Sequence, residues 1–211
     1  MAGVSRTMAL NGTVRAQRRR CTKAPLAWRV KNFVANRLPD YPRLAAALFA
    51  RAMGVPVVLS VLRARVRTAA GEWIDYGIVS TRVVTTAGVG FLVDAWQNSV
   101  ELENMKYHAV GTGTNAEAAG DTALQTESTT ILNPDSTRAT GTTTEGATGN
   151  IFRSVGTVTF DGSGAITEHG LMSQAATGGG VLWDRSVFSP INVVNGDSIQ
   201  FTYDVTFTAG S

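Results

Sequence analysis

The sequence predicts a mainly β protein: an antiparallel β-sandwich or jelly roll preceded by a basic N-terminal arm, short helices and a β-hairpin. Three observations predict it. From residue 107 onward, short runs of alternating apolar and polar residues are broken by Gly, Asn and Asp, as in half-buried antiparallel strands. The run YHAVGTGTNAEAAGDTAL, residues 107–124, is answered near the C-terminus by SIQFTYDVTF, residues 198–207. Charge, finally, is sharply divided: residues 1–70 hold 14 Lys or Arg and one acid, Asp40, hence +13, whereas residues 71–211 hold 5 basic and 15 acidic residues, hence −10. The first third is therefore expected to touch something negative.

With 44% hydrophobic and 17% charged residues, the 211-residue chain can bury a core. Three stretches are expected: 1–56, a basic arm with short helices; 57–106, a β-hairpin and a short helix; and 107–211, the sandwich. The single cysteine, Cys21, excludes an intrachain disulfide framework and a Cys-rich metal site. Basic neighbours could lower its pKa, but a lone Cys in a basic segment is read as incidental.

Residues 1–23 carry Arg15, Arg18, Arg19, Arg20 and Lys23 with too few large apolar residues to form a core. They predict an arm, disordered alone and ordered against a partner. Arginines neutralise phosphates, so a nucleic-acid contact is one reading; no aromatic platform or DNA-reading motif accompanies them, and a protein-docking arm is preferred. In 25–38, Leu26, Val30, Phe33, Val34 and Leu38 recur at helical spacing. Asp40 then stands as an N-cap before Pro42 and the helical run RLAAALFARAM, which Gly54 and Pro56 stop. Arg51 and the Gly54-Val55-Pro56 break leave no uninterrupted stretch of the ~20 apolar residues that spans a bilayer, so no membrane segment and no signal peptide are expected.

After Pro56 the period falls to two. Leu62, Ala64 and Val66 oppose Val61, Arg63, Arg65 and Arg67, the turn 69–72 follows, and residues 73–86 return, giving a hairpin with one basic face. Gly88 ends it, and residues 89–99 read as a helix with Phe91, Leu92, Ala95 and Trp96 on one face. The expected strands beyond are 107–111, 138–144, 151–160, 166–172, 181–188 and 198–208, with a short one at 191–194. Turns at Asp161-Gly162-Ser163-Gly164 and Asn195-Gly196-Asp197 separate them. Residues 112–137 read as a loop across one end of the sandwich, with room for one helical turn.

No catalytic constellation is recognisable. GTGTNAEAAGD lacks the Gly-Lys-Ser/Thr of a phosphate loop and the third glycine of a dinucleotide fingerprint. His108 and His169 could meet across the sheet near Glu168, but two His and one Glu make a weak metal set, and a structural role is expected. Asp161, Glu168, Asp184 and Asp197 are read as turn and strand acids, not a glycosidase pair. Phe201, Tyr203, Val205 and Phe207 share one strand face and are assigned to core packing.

The order of several motifs resembles tailed-bacteriophage virion structural proteins of the β-sandwich type. They are Val110-Gly111-Thr112-Gly113-Thr114, Ala119-Gly120-Asp121-Thr122-Ala123-Leu124 followed by Glu127, and Gly156-Thr157-Val158-Thr159-Phe160. Ile166-Thr167-Glu168-His169-Gly170-Leu171, Leu182-Trp183-Asp184-Arg185-Ser186-Val187-Phe188 and Asn195-Gly196-Asp197-Ser198-Ile199 complete the series. The resemblance covers roughly residues 107–208 and leaves the basic third outside it. It implies a capsid cement or decoration protein, without cofactor or enzymatic activity, assembled in the host cytoplasm into the virion. Its implied partner is the major capsid protein, and a homo-oligomer, trimer or dimer, is expected. On that reading Arg15, Arg18, Arg19, Arg20, Lys23, Arg29 and Lys31 contact acidic capsid loops, and direct nucleic-acid contact is secondary. A tail, baseplate or fibre-attachment subunit is the alternative within the virion, and a carbohydrate-binding module, needing an exposed Trp73 or Trp183, is the alternative outside it.

Overall fold

The computed structural model describes residues 21–81 and 84–210. They form a mainly β protein with two sheets. The six-stranded sheet has the order β1-β3-β2-β10-β7-β6, built from β1 Cys21–Lys23, β2 Val57–Arg67, β3 Trp73–Ser80, β6 Thr142–Glu145, β7 Ile151–Thr159 and β10 Ser198–Thr208. The four-stranded sheet has the order β5-β4-β8-β9, from β4 Tyr107–Gly111, β5 Ala139–Thr140, β8 Gly164–Met172 and β9 Leu182–Val193. Every pairing is antiparallel except β1 on β3.

Alternation explains the large sheet. Ile199, Phe201, Tyr203 and Val205 of β10 are buried at every second position, and so are Leu62, Ala64 and Val66 of β2. They meet Ile166, Leu171, Phe188 and Ile191 of the small sheet in one core. The hairpin 57–80 is joined edge-on to the C-terminal strand: β2 pairs with β10 from Arg67↔Ser198 to Val57↔Thr208, so its alternation is set by the same core. Phe207 shares the parity of Phe201 but is exposed, because β10 outruns the core there.

β8 and β9 are buried on both faces. Their outer face lies under the loop 112–137, whose Leu124 packs with Ala109, Met172 and Leu182. That loop holds no helical turn; in one of its tight turns Asp121 N donates to Ala118 O and Asp121 Oδ2 accepts from Ala118 N. The strands expected at 181–188 and 191–194 are one strand, β9, running through Pro190. β9 is the edge of its sheet, so the missing proline N–H breaks no ladder bond.

Helix α3, Thr86–Trp96, starts three residues earlier than expected. Thr85 caps it, accepting from Gly88 N and donating to Leu182 O. Gly88 sits inside the helix, not at a strand end: a Cβ there would lie 2.6 Å from Trp183 O, so only glycine allows this approach to β9. Phe91 is buried as expected, whereas Trp96 points outward.

Residues 26–52 are helical throughout. Helix α1, Leu26–Asn32, passes into a π-turn, Phe33–Arg37, then a 3-10 turn, Leu38–Asp40, and then helix α2, Tyr41–Ala52. Asp40 occupies the N-cap position of α2, but its side chain makes no capping hydrogen bond. The chain enters α2 already helical, with Asp40 at φ −83 and ψ −15, and its carboxylate accepts from Thr81 Oγ1 at 2.6 Å.

Candidate docking site

Helix α1 is mounted on the body by its polar side. Trp28 Nε1 donates to Pro190 O at 2.8 Å, and its ring stands edge-on to Tyr76, with centroids 4.7 Å apart. Asn32, 2% exposed, donates from Nδ2 to Val79 O of β3, while its Oδ1 accepts from Ser189 N of β9. It thus joins a strand of each sheet. Asn36 donates to Asn32 Oδ1, and Asp40 receives Thr81. Residues 28, 32, 36 and 40 share one helical stripe, and this polar stripe faces inward.

The apolar stripe that defined the helix in sequence faces away. Leu26 is 71% exposed, and Val30, Phe33, Val34 and Leu38 are exposed as well. The amphipathicity is inverted with respect to the body. Such a surface is unfavourable in water and marks a face made to be covered.

Beside this stripe, β1 brings basic residues into place. Cys21, Thr22 and Lys23 pair in parallel with Trp73, Ile74 and Asp75, and Ala24 N donates to Asp75 O. A cleft of about 450 Å³ opens between this strand, α1 and β3, with Lys23, Arg29, Arg37, Trp28, Tyr76 and Asp75 among its lining. Of the seven basic residues expected to bind a partner, Lys23 and Arg29 meet at this cleft. Lys31 is exposed on α1 and does not line it. Arg15, Arg18, Arg19 and Arg20 lie outside the described residues. Arg37, Trp28 and Tyr76 were missed by sequence reasoning; Trp28, four residues before Asn32, was the signal that a second stripe existed on the helix. Cys21 is exposed on β1.

The basic face of β2 is largely satisfied within its own sheet. Arg63 and Arg153 both hold Asp204, at 2.6 Å each, and Arg65 lies on the Trp73 ring and donates to Gln200. Burial alone would raise the Asp204 pKa; the hydrogen bonds and charges of Arg153 and Arg63 override it and hold the carboxyl below its ordinary range.

Behind these surfaces the motif residues converge. Glu168, fully buried on β8, accepts from the backbone amides of Gly113, Gln125 and Thr126 and from Arg185 Nε. Arg185 also reaches Asp121 Oδ2 and Asn115 O, and Arg138 forms a bidentate pair with Glu127. Spaced motifs at 110–127, 166–171 and 182–188 are therefore one clamp that pins the loop onto the small sheet. Comparison with protein-family models, with curated proteins and with solved structures finds no match to this chain.

The remaining polar residues singled out in the sequence are structural. His108 Nε2 contacts Ser154 Oγ at 2.9 Å, and its Nδ1 meets His169 Nε2 at the same distance. Burial lowers the His108 pKa to about 3, and burial with the neighbouring His108 lowers that of His169 well below its ordinary value. A Cβ on residue 156 would lie 2.3 Å from His108 Cδ2, so Gly156 makes room for the ring. Asp184 is buried, accepts from Ser60 and Ser186, and has its pKa pushed up to about 7 by burial. Asp197 caps the turn before β10, accepting from Ala69 N and Val194 N, and Asp161 is exposed in its turn. Trp183 is buried with its indole donating to Tyr203 OH, and Trp73 lies under Arg65, so neither is the free platform that a carbohydrate-binding module requires.

Proposed function

We propose that this chain is a structural protein of a tailed-phage particle, most concretely a capsid cement or decoration protein. In this reading a β-sandwich body is fastened to the capsid lattice by its N-terminal segment. The observation that carries the proposal is the inverted helix α1, whose apolar stripe, Leu26, Val30, Phe33 and Val34, stands in solvent beside Lys23, Arg29 and Lys31.

Magnitudes separate the roles of the two kinds of residue. Covering a large apolar side chain contributes about 1.5–3 kcal/mol, so four or five of them offset much of the ~4–15 kcal/mol cost of association. Exposed ion pairs contribute about 0.2–1 kcal/mol each. The apolar stripe would therefore supply affinity, and the basic residues would supply orientation and encounter rate against an acidic capsid surface. Binding across a seam between capsid subunits adds free energy to the closed shell only, and so resists pressure from packaged DNA.

A reconstruction of particles carrying this chain tests the reading. It requires the chain distributed over the head with α1 against the shell; a position confined to the tail would transfer the same attachment to a tail subunit, and absence from the particle would end the proposal. Reversing Lys23, Arg29 and Lys31 to Glu should slow loading onto the head without changing the melting temperature of the free protein.

A further inference from the structure

A second pair of surfaces on the same chain is complementary in both hydrophobicity and charge. Helix α2 has no buried residue, and Leu44, Leu48, Phe49 and, just beyond it, Met53 are exposed, Phe49 at 69%. Its only charged residues are Arg43 and Arg51. Helix α3 presents an outward stripe of Val89, Val93 and Trp96 at spacings of four and three, with Trp96 77% exposed, continued by exposed Leu102. The only charged residues in 86–104 are Asp94, Glu101 and Glu103, all exposed. One surface is thus apolar and purely basic, the other apolar and purely acidic.

The two surfaces border a groove of about 620 Å³, lined on one side by Tyr41, Arg43 and Leu44 and on the other by Val58, Val89 and Leu92. Among the described residues the groove stays open and both outer faces are uncovered.

We propose that α2 of one copy docks on the α3 stripe of a second copy, giving a self-association through unlike faces. A second copy is the occupant the charges select: like faces of two copies would set arginine against arginine or acid against acid, whereas unlike faces pair both signs and both apolar stripes. Because the two faces differ, each contact uses one face from each copy. This inference does not rest on the reading of α1, which uses other residues.

The test is sedimentation velocity on the full chain at micromolar concentration with four variants. Arg43→Glu with Arg51→Glu should weaken self-association at least tenfold, and so should Asp94→Arg with Glu101→Arg and Glu103→Arg. Combining all five substitutions in one chain should restore it, as should mixing the two charge-reversed proteins. Arg43, Asp94, Glu101 and Glu103 are exposed, so the acidic triple reversal and Arg43→Glu alone should leave the melting temperature at the wild-type value. Trp96→Ser should also weaken association. A wild-type chain that sediments as a monomer at tens of micromolar, reversals that leave association unchanged, or a five-fold variant that does not recover would each overturn the proposal, and none of these results bears on attachment through α1.

Discussion

Asn32 Oδ1 accepts the backbone N–H of Ser189 at 2.8 Å while its Nδ2 reaches Val79 O at 3.0 Å, so one helical side chain bridges a strand of each sheet. Asn32→Leu would leave both backbone groups buried without partners. At about 1–3 kcal/mol for each such group, unfolding by urea should show a loss of about 2–4 kcal/mol. Trp28→Ala should add to it. A loss below about 0.5 kcal/mol would mean that α1 is not seated as described.

The buried histidines and Asp184 give the protein opposing pH dependences. His108 has a folded pKa of about 3 against an ordinary 6.5, and that of His169 is also lowered, so their contribution is present above 6.5 and is lost as pH falls toward 3. Asp184, raised to about 7 from 3.8, contributes below 3.8 and loses that contribution as pH rises through 7. Two histidines act against one acid, so stability should fall on acidification below 6.5. Asp184→Asn should steepen that fall between about pH 4 and 6.5 and flatten the profile near 7. Denaturation midpoints measured from pH 4 to 8 decide it, and identical profiles for the two proteins would contradict the assignment.

Glu168→Gln removes a buried charge and leaves Arg185 with only Asp121 and Asn115. Breaking one member of such a pair costs about 3–5 kcal/mol. The loop over 112–127 should then become the first site of limited proteolysis, because three of its amides depend on that carboxylate. Replacing both members, Glu168→Gln with Arg185→Met, should recover part of the stability. A loop as protected as in the wild type would show that the clamp is held elsewhere.

Gly156→Ala brings a methyl group against His108, and overpacking of this kind costs about 1–3 kcal/mol. A thermal melt reads it directly. Gly120→Ala, where a Cβ meets nothing within 4 Å, is the neutral comparison.

The strand at 198–208 was legible because its alternation reports burial on one side, and it and 107–111, buried on both sides, stand as expected. Two-sided burial was harder to read: Glu168 and Arg185 look like solvent-facing charges until the loop 112–137 is placed over them. The periodicity of 26–38 fixed a helix but not its orientation. Spacing identifies which residues share a face, and only the tertiary contacts of Trp28 and Asn32 decide which face turns inward. Asp40 stands where expected, just before α2, but side-chain capping assumes a free helix start and the preceding 3-10 turn removes it. The basic face of β2 was visible, but its cross-strand partner Asp204 lies 141 residues from Arg63.

Triple replacement of Leu26, Val30 and Val34 by Ser is the most direct test of the outward stripe. The account predicts a free protein with an unfolding free energy within about 0.5 kcal/mol of wild type, as expected for surface substitutions, and a chain that no longer remains on purified particles. A protein that unfolds, showing the stripe to be core, or one retained on particles at wild-type occupancy, would contradict it.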